Sequence, residues 1–301
     1  MFNIPIFLSS DNNYAPFIAT TIASICDHTN SFCEFYVLDG GILKENREKI
    51  EKLKDKFDNF SIEYLSIEID KLFKNLKNTK YISKSMYSRF LIPELKPEID
   101  KAIYSDVDVI VLDDISKMYN EDLEGYALGA VWQELYDKTQ NMENLKKRLD
   151  LSPTHKVFFS GNLLIDCKKW REKNIISDLI KGYEFLDNLT ETPDQDILNK
   201  YFENNYKVLS EKYCFVNQAY DYYKKPNNVV IRHYNGQIKP WQLDENTHTS
   251  LFYNLSDFWY YAKITEFYND LKLKTLDTNA QKQYLRQLQY WKIMANKNVT
   301  K

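Results

Sequence analysis

A chain of 301 residues with 44% hydrophobic and 28% charged residues has a globular composition and enough length to bury a sizeable core. Its net charge of −3 excludes the strongly basic profile expected of a nucleic-acid binder. No apolar run approaches the roughly 18 residues needed to span a bilayer.

The charge is uneven: residues 271–301 carry seven lysines and arginines against one acid, Asp277, so this segment is +6 and the remainder −9. Cys26, Cys33, Cys167 and Cys214 form no C-x-x-C pair, which fits inert core thiols in a reducing compartment. The first residues lack the basic and apolar regions of a signal peptide, so a cytoplasmic location is expected.

Ile4–Ser10 reads as a buried strand, with Pro5 near its start, followed by Asp11-Asn12-Asn13 turn chemistry. Tyr14–His28 has helical spacing of apolar residues. Glu34–Leu38 predicts a second strand, Lys44–Phe57 an amphipathic helix, and Ser61–Ile67 a third strand. Alternating strands and helices predict an α/β fold with a parallel sheet and covering helices, which binds ligands beyond the carboxyl ends of its strands. Ser85–Leu95 reads as a helix stopped by Pro97; taken alone, its Arg89 reads as an edge residue that snorkels to solvent.

Ala102–Leu112 reads as one strand carrying two acids. Residues two apart on a strand face the same way, so Asp106 and Asp108 would aim at one place. They either hold a divalent cation through oxygen ligands or project from a strand end into water. Tyr126–Trp132 predicts a strand and Met142–Leu149 a short helix. Val157–Asp166 is a strand pattern interrupted by Ser160-Gly161-Asn162, the mark of a bulge or a close backbone approach.

Thr192 and Gln195 have capping-box spacing around Pro193, so Asp194 and Asp196 also fit plain first-turn carboxylates. Val229–Tyr234 predicts a late strand ending near His233, and the following loop sets Gly236 and Lys239 at three-residue intervals, suited to a metal-bound diphosphate. From Asp257 onward the pattern is helical, ending in a helix near Gln281–Ala295. The expected division is one α/β domain over residues 1–256 and a helical segment over 257–301.

In this order the motifs resemble those of the family 8 retaining glycosyltransferases, particularly the bacterial lipopolysaccharide galactosyl- and glucosyltransferases. The matching stretches are Ser9–Ala15, Met86–Phe90, Tyr104–Asp108, Phe159–Asp166, Asp194–Asn199 and His233–Trp241. The resemblance implies a GT-A fold, with a Rossmann-like mixed sheet binding a UDP-sugar, usually UDP-galactose or UDP-glucose. It implies Asp106, Asp108 and His233 as ligands of manganese, with magnesium as the alternative ion. Ser10, Asp11, Asn13 and Tyr14 match the uridine side, Val107 the ribose contact, and Gly236 and Lys239 the phosphates. Arg89, Ser160, Gly161, Asp194 and Gln195 match the donor-sugar side, with Arg89, Asp194 and Gln195 as the catalytic group. Phe159 departs from the family, which commonly has Asn there. The implied acceptor is an oligosaccharide or lipid-linked saccharide, reached by a membrane-facing basic C-terminal helix as a peripheral protein of the inner leaflet. Two rivals stand beside this reading. One is a phosphatase of the haloacid dehalogenase type, with Ile110 where its motif has Thr or Val. The other is a sugar-nucleotide-binding protein with little or no transfer.

Overall fold

The computed structural model describes residues 3–67, 84–132, 134–137, 140–186, 192–216, 228–235, 239–243 and 255–273, with isolated positions 245, 275, 282 and 286. Ten strands are numbered in chain order: β1 Asn3–Ser10, β2 Phe32–Asp39, β3 Phe60–Ser66, β4 Lys101–Ser105, β5 Val109–Val111, β6 Leu128–Trp132, β7 Phe158–Asp166, β8 Lys207–Leu209, β9 Phe215–Val216 and β10 Ile231–His233. Seven form a mixed sheet in the order β3-β2-β1-β4-β7-β6-β8, and three form a small sheet in the order β5-β10-β9.

β1 is parallel to β2 on one side and β4 on the other, and β2 is parallel to β3. The chain therefore winds outward in both directions from β1. This creates a crevice beyond the carboxyl ends of β1 and β4, where open α/β sheets place ligands. β7 runs antiparallel to both β4 and β6, which makes the sheet mixed.

Helices cover both faces. Ile4, Ile6 and Leu8 of β1 pack into one core with the Ala15–His28 helix, while Phe7 packs into the other with Trp170, Leu179 and Leu198. Burial on both faces explains why β1 reads as an unbroken apolar run. The Leu255–Ile264 and Tyr268–Leu273 helices contribute Leu255, Phe258, Trp259 and Leu271, and the turn between them Phe267, to the same core as Ile4 and Ile6. The start of the expected 257–301 segment is thus packed into the main body, whereas most of the predicted last helix lies outside the described residues. Cys26, Cys33, Cys167 and Cys214 are buried free thiols, and burial pushes Cys33 and Cys167 up to about 12.

Three local expectations are corrected. The aspartate strand is not continuous: β4 ends at Ser105 and β5 begins at Val109 in the other sheet. Asp106-Val107-Asp108 bridges the two sheets instead of lying along one strand. The predicted Ser85–Leu95 helix is a 3₁₀ segment over Lys84–Leu91 followed by one α-turn over Ile92–Leu95. The capping box at Thr192 does not form, because Thr192 Oγ1 donates to Asp196 Oδ1 at 3.1 Å and makes no cap bond.

Asp196 is buried in the first turn of the Pro193–Tyr201 helix, 3.4 Å from Arg148 Nη2. Burial outweighs the Thr192 and Arg148 contacts and pushes its carboxyl up to about 6. Between its unfolded value near 4 and this folded value, the folded chain holds the extra proton, so stability falls as pH rises through that window. Asp196→Asn keeps an acceptor for Thr192 and removes the buried charge. It is expected to raise stability by about 1–3 kcal/mol above pH 6 and to leave it unchanged near pH 4. Thermal unfolding of both forms from pH 4 to 8 checks this; a difference independent of pH would assign the effect to packing.

Candidate active site

The break between the sheets builds the centre of the site. His233 on β10 pairs with Val109 on β5, and the Tyr234 N–H donates to Asp108 O at 2.8 Å. These bonds bring His233 Nε2 to 3.1 Å from Asp108 Oδ1 and 3.8 Å from Asp106 Oδ2. The ligand atoms of Asp106, Asp108 and His233 all lie within 4.8 Å of one another. Thr21, inside the Ala15–His28 helix, holds the bridge from behind. Its hydroxyl lies 3.1 Å from both the Val107 and Val109 carbonyls.

A strand irregularity brings a second wall close. Ala130 pairs with Leu163 and Trp132 with Phe158, so two steps on β6 span five on β7 and three residues bulge out. The sequence pattern predicts a bulge or a close backbone approach at this place. The bulge contains Phe159, Ser160 and Gly161, and the Asp106 N–H donates to Gly161 O at 2.7 Å. A Cβ on Gly161 would meet His233 Cε1 at 2.3 Å, Asp106 Oδ2 at 2.7 Å and His233 Nδ1 at 2.9 Å. The Ser-Gly-Asn interruption is therefore a close approach of the backbone to the Asp106 and His233 side chains that only glycine allows.

Arg89 does not snorkel. It is buried, donates from Nη1 to Ser160 O at 2.7 Å, and pairs with Asp194 Oδ2 and Asp106 Oδ1, each at 3.2 Å. Its guanidinium lies 4.4 Å from the centre of the Tyr104 ring, and the Tyr104 hydroxyl donates to Asp106 Oδ1 at 2.7 Å. Asp194 also accepts from Ser160 Oγ at 3.1 Å, and Gln195 Oε1 accepts the Ser160 N–H at 3.2 Å. Asp194 Oδ1 is buried without a hydrogen-bond partner, a costly state for a carboxylate oxygen unless a ligand hydroxyl meets it.

On the other side, Lys239 Nζ donates to Asp108 Oδ2, and to Tyr234 O at 2.9 Å. Trp241, two residues on, stacks on Phe17 with ring centres 3.5 Å apart, and Tyr14 meets both rings edge-on. Tyr14 is 39% exposed, so its ring borders the crevice. Asp11 Oδ1 accepts the N–H groups of Asn13 and Tyr14, which fixes the turn after β1, and Ser10 Oγ donates to Asp11 O at 2.8 Å. Gly236 lies outside the described residues. Of the other expected site residues, Arg89, Ser160, Asp194 and Gln195 share one hydrogen-bonded network, and Lys239 pairs with Asp108. Tyr104 and Thr21 were not singled out from sequence; a polar side chain inside an otherwise apolar element was their only signal.

The electrostatics follow from burial and pairing. Burial pushes the Asp106 carboxyl up, against the pull of Arg89. Burial opposes ionisation of Asp108 too, but Lys239 and His233 outweigh it and hold that carboxyl well below the usual range. The same pairing with Asp108 overcomes burial at His233 and raises the imidazole well above its ordinary value. Two carboxylates and an imidazole converging at this distance form a donor set suited to a divalent first-row cation.

Comparison with known proteins agrees with this geometry. The model of glycosyl transferase family 8 matches residues 5–245. The chain is 31% identical over 245 residues to the glycosyltransferase GlyF of Streptococcus pneumoniae, covering 78% of this chain and 56% of that protein. It is 28% identical over 244 residues to the lipopolysaccharide 1,2-glucosyltransferase of Escherichia coli, covering 77% and 70%. The structure of the galactosyltransferase LgtC in complex with donor and acceptor sugar analogues superposes with a TM-score of 0.75 at 26% identity, covering 87% of this chain and 96% of that one. The chain thus spans just over half the length of the S. pneumoniae relative. It belongs to glycosyl transferase family 8 and is a glycosyltransferase with a GT-A fold. Neither the family nor the fold supports the phosphatase reading, and Asp106, tied up by Arg89 and Tyr104, makes a poor nucleophile.

Gly161→Ala is expected to displace His233 and weaken divalent-cation binding roughly tenfold or more, while overpacking costs about 1–3 kcal/mol of stability. Titration with manganese, followed by electron paramagnetic resonance, checks the first effect. Unchanged affinity would remove Asp106 and His233 from the binding site.

Proposed function

We propose that the protein moves a hexose, galactose or glucose, from a UDP-sugar to a saccharide acceptor, with retention of anomeric configuration. The observation that carries this reading is the division of the crevice. The Asp106, Asp108, His233 and Lys239 groups lie on one side, and the Arg89, Asp194, Ser160 and Gln195 network on the other. The first set suits a diphosphate and the second a polyhydroxylated ring. The sugars named for the E. coli relative and for LgtC support a hexose donor.

Asp106, Asp108 and His233 would hold Mn2+, with Mg2+ as the alternative, and the ion would supply neutralising charge for the UDP leaving group. Lys239 adds a cation for the phosphates. Tyr14 offers a ring face to uracil, Asp11 and Asn13 border the base, and the Val107 backbone faces the ribose. Asp194 Oδ1 is available to accept a hydroxyl of the donor sugar. Arg89 holds Asp194 and Asp106 in fixed relation, so sugar and diphosphate are positioned together.

Double displacement needs a carboxylate nucleophile on the face opposite the leaving group. Gln195 is a poor nucleophile, which favours attack by the acceptor hydroxyl on the same face. The bond from the anomeric carbon to the diphosphate breaks, the acceptor oxygen bonds to that carbon, and its proton passes to the departing phosphate oxygen. The Gln195 amide oxygen, fixed by the Ser160 N–H, would stabilise the positive charge developing on the ring. Phe159 is partly buried against the larger core and offers no hydrogen bond to the donor, so Ser160 and Asn162 are the polar groups of this stretch.

No helix among the described residues is long and apolar enough to cross a membrane. The basic, aromatic segment 271–301 supports peripheral contact with an anionic inner-leaflet surface, where a lipid-linked saccharide acceptor would be met.

UDP and Mn2+ together are expected to raise the unfolding temperature more than the sum of their separate effects. At about a hundred times the dissociation constant the gain is about 2.7 kcal/mol, roughly a few degrees. No shift with UDP under any condition overturns the reading. Gln195→Ala should lower turnover at least about tenfold with little change in UDP affinity, measured by kinetics and calorimetry. Equal losses in both would assign Gln195 to binding alone.

A further inference from the structure

A second buried polar cluster joins His155, Asn199 and the backbone of Phe158 and Gln195. His155 and Asn199 are both 0% exposed. Asn199 Oδ1 accepts the Phe158 N–H at 3.0 Å, and its Nδ2 donates to Phe158 O and Gln195 O, each at 2.9 Å. Those partners fix the orientation of the amide, because a peptide N–H can only donate and a carbonyl can only accept. His155 Nε2 lies 3.0 Å from the same Asn199 Oδ1, while the Asn204 N–H donates to His155 Nδ1 at 3.1 Å. Nδ1 therefore carries no proton, and Nε2–H is the donor to Asn199. The network closes only with a neutral imidazole in this tautomer, and burial favours the neutral form.

The placement of the cluster gives it a consequence. Asn199 lies four residues after Gln195 on the Pro193–Tyr201 helix, on the same side of it. Phe158 is the last β7 residue paired with β6 before the three-residue bulge. Asn199 engages both the N–H and the C=O of Phe158, as a neighbouring strand would. The far end of the bulge is tied down separately, by Ser105 Oγ donating to Asn162 Oδ1 at 2.9 Å. Between the two ties hang Ser160, bonded to Asp194 and Gln195, and Gly161, packed against Asp106 and His233.

We propose that His155 and Asn199 are positioning residues for sugar transfer. They form a neutral clamp that fixes the first turn of the Pro193–Tyr201 helix, with Asp194 and Gln195, in register with the Ser160–Gly161 bulge. Neither residue touches the donor. The inference rests on the donor-site reading of Asp194 and Gln195. Its functional weight comes from positional tolerance, since misplacement by about 1 Å can cost roughly a hundredfold in rate.

The test compares His155→Leu with His155→Gln. Leucine removes a donor to Asn199 and an acceptor for the Asn204 N–H, whereas the glutamine amide offers one of each. Three quantities are read: amide hydrogen exchange of residues 158–161 and 194–196 in the nucleotide-free protein, the dissociation constant for UDP with Mn2+, and kcat for cleavage of UDP-galactose and UDP-glucose. His155→Leu should speed exchange at those amides and lower kcat about tenfold or more, with UDP affinity within about twofold of wild type. His155→Gln should restore both. The clamp is overturned if the leucine variant leaves those amides unchanged, if kcat falls only in proportion to UDP affinity, or if glutamine does not rescue. A wild-type protein that neither binds UDP nor cleaves the two sugars overturns the functional reading instead, and the exchange comparison still decides the clamp.

Discussion

Three carboxylates crowd the crevice, and the arrangement of cations around them is the constraint on which the rest of the site depends. Asp194 is buried, and Asp106 and Asp108 are half-buried between two sheets. Carboxylates in such surroundings must be paired or change protonation. Arg89 serves Asp106 and Asp194 together, while Lys239 and His233 serve Asp108. Each cation is itself held: Arg89 by the Ser160 carbonyl and the Tyr104 ring, Lys239 by the Tyr234 carbonyl. The result is a fixed field of donors and acceptors around the space for a nucleotide sugar. Such preorganised polar surroundings stabilise charge separation better than water, which must reorganise as the charge develops.

That field requires backbone to approach backbone more closely than regular strands allow. Two departures from regular sheet supply the approach. β4 ends at Ser105, so the acidic bridge crosses to the small sheet that carries His233. Opposite it, β7 takes three more residues than β6 requires and turns Gly161 toward the same point. Both departures lie at the carboxyl end of β4, beside the topological switch at β1. The regular parts of both sheets hold these irregular segments from either side.

The aromatic side of the crevice couples the nucleotide region to the late loop. Trp241 stacks on Phe17, which belongs to the helix that follows the Asp11 turn, and Tyr14 borders both rings. Phe258 joins the group from the helical segment after residue 255. The position of Lys239, two residues before Trp241, is thus tied to the first turn of the fold and to its last described helices. A change in this aromatic cluster would reach Asp108 through Lys239 without any change in charge.

The amino-acid sequence by itself determined the α/β class, the order of the elements, the interruption of β7 at Ser160–Asn162 and the family. These features reside in local patterns: apolar runs, turn residues and ordered motifs, which need no knowledge of distant neighbours. It also named Asp106, Asp108 and His233 together, although only through resemblance, because 125 residues separate Asp108 from His233. What it misplaced were features decided by neighbours. A run as apolar as Ala102–Leu112 reads as one strand, and only the pairing of β4 and β5 with different partners breaks it. Arg89 looks like a surface cation until Asp106 and Asp194 are brought to it from two other elements. The pairing of His155 with Asn199, and of Asn199 with Phe158, has no local signature, since 44 and 41 residues separate the partners. Tertiary structure decided these because the cost of burying a polar group depends on what meets it, and that is settled only when the chain is folded.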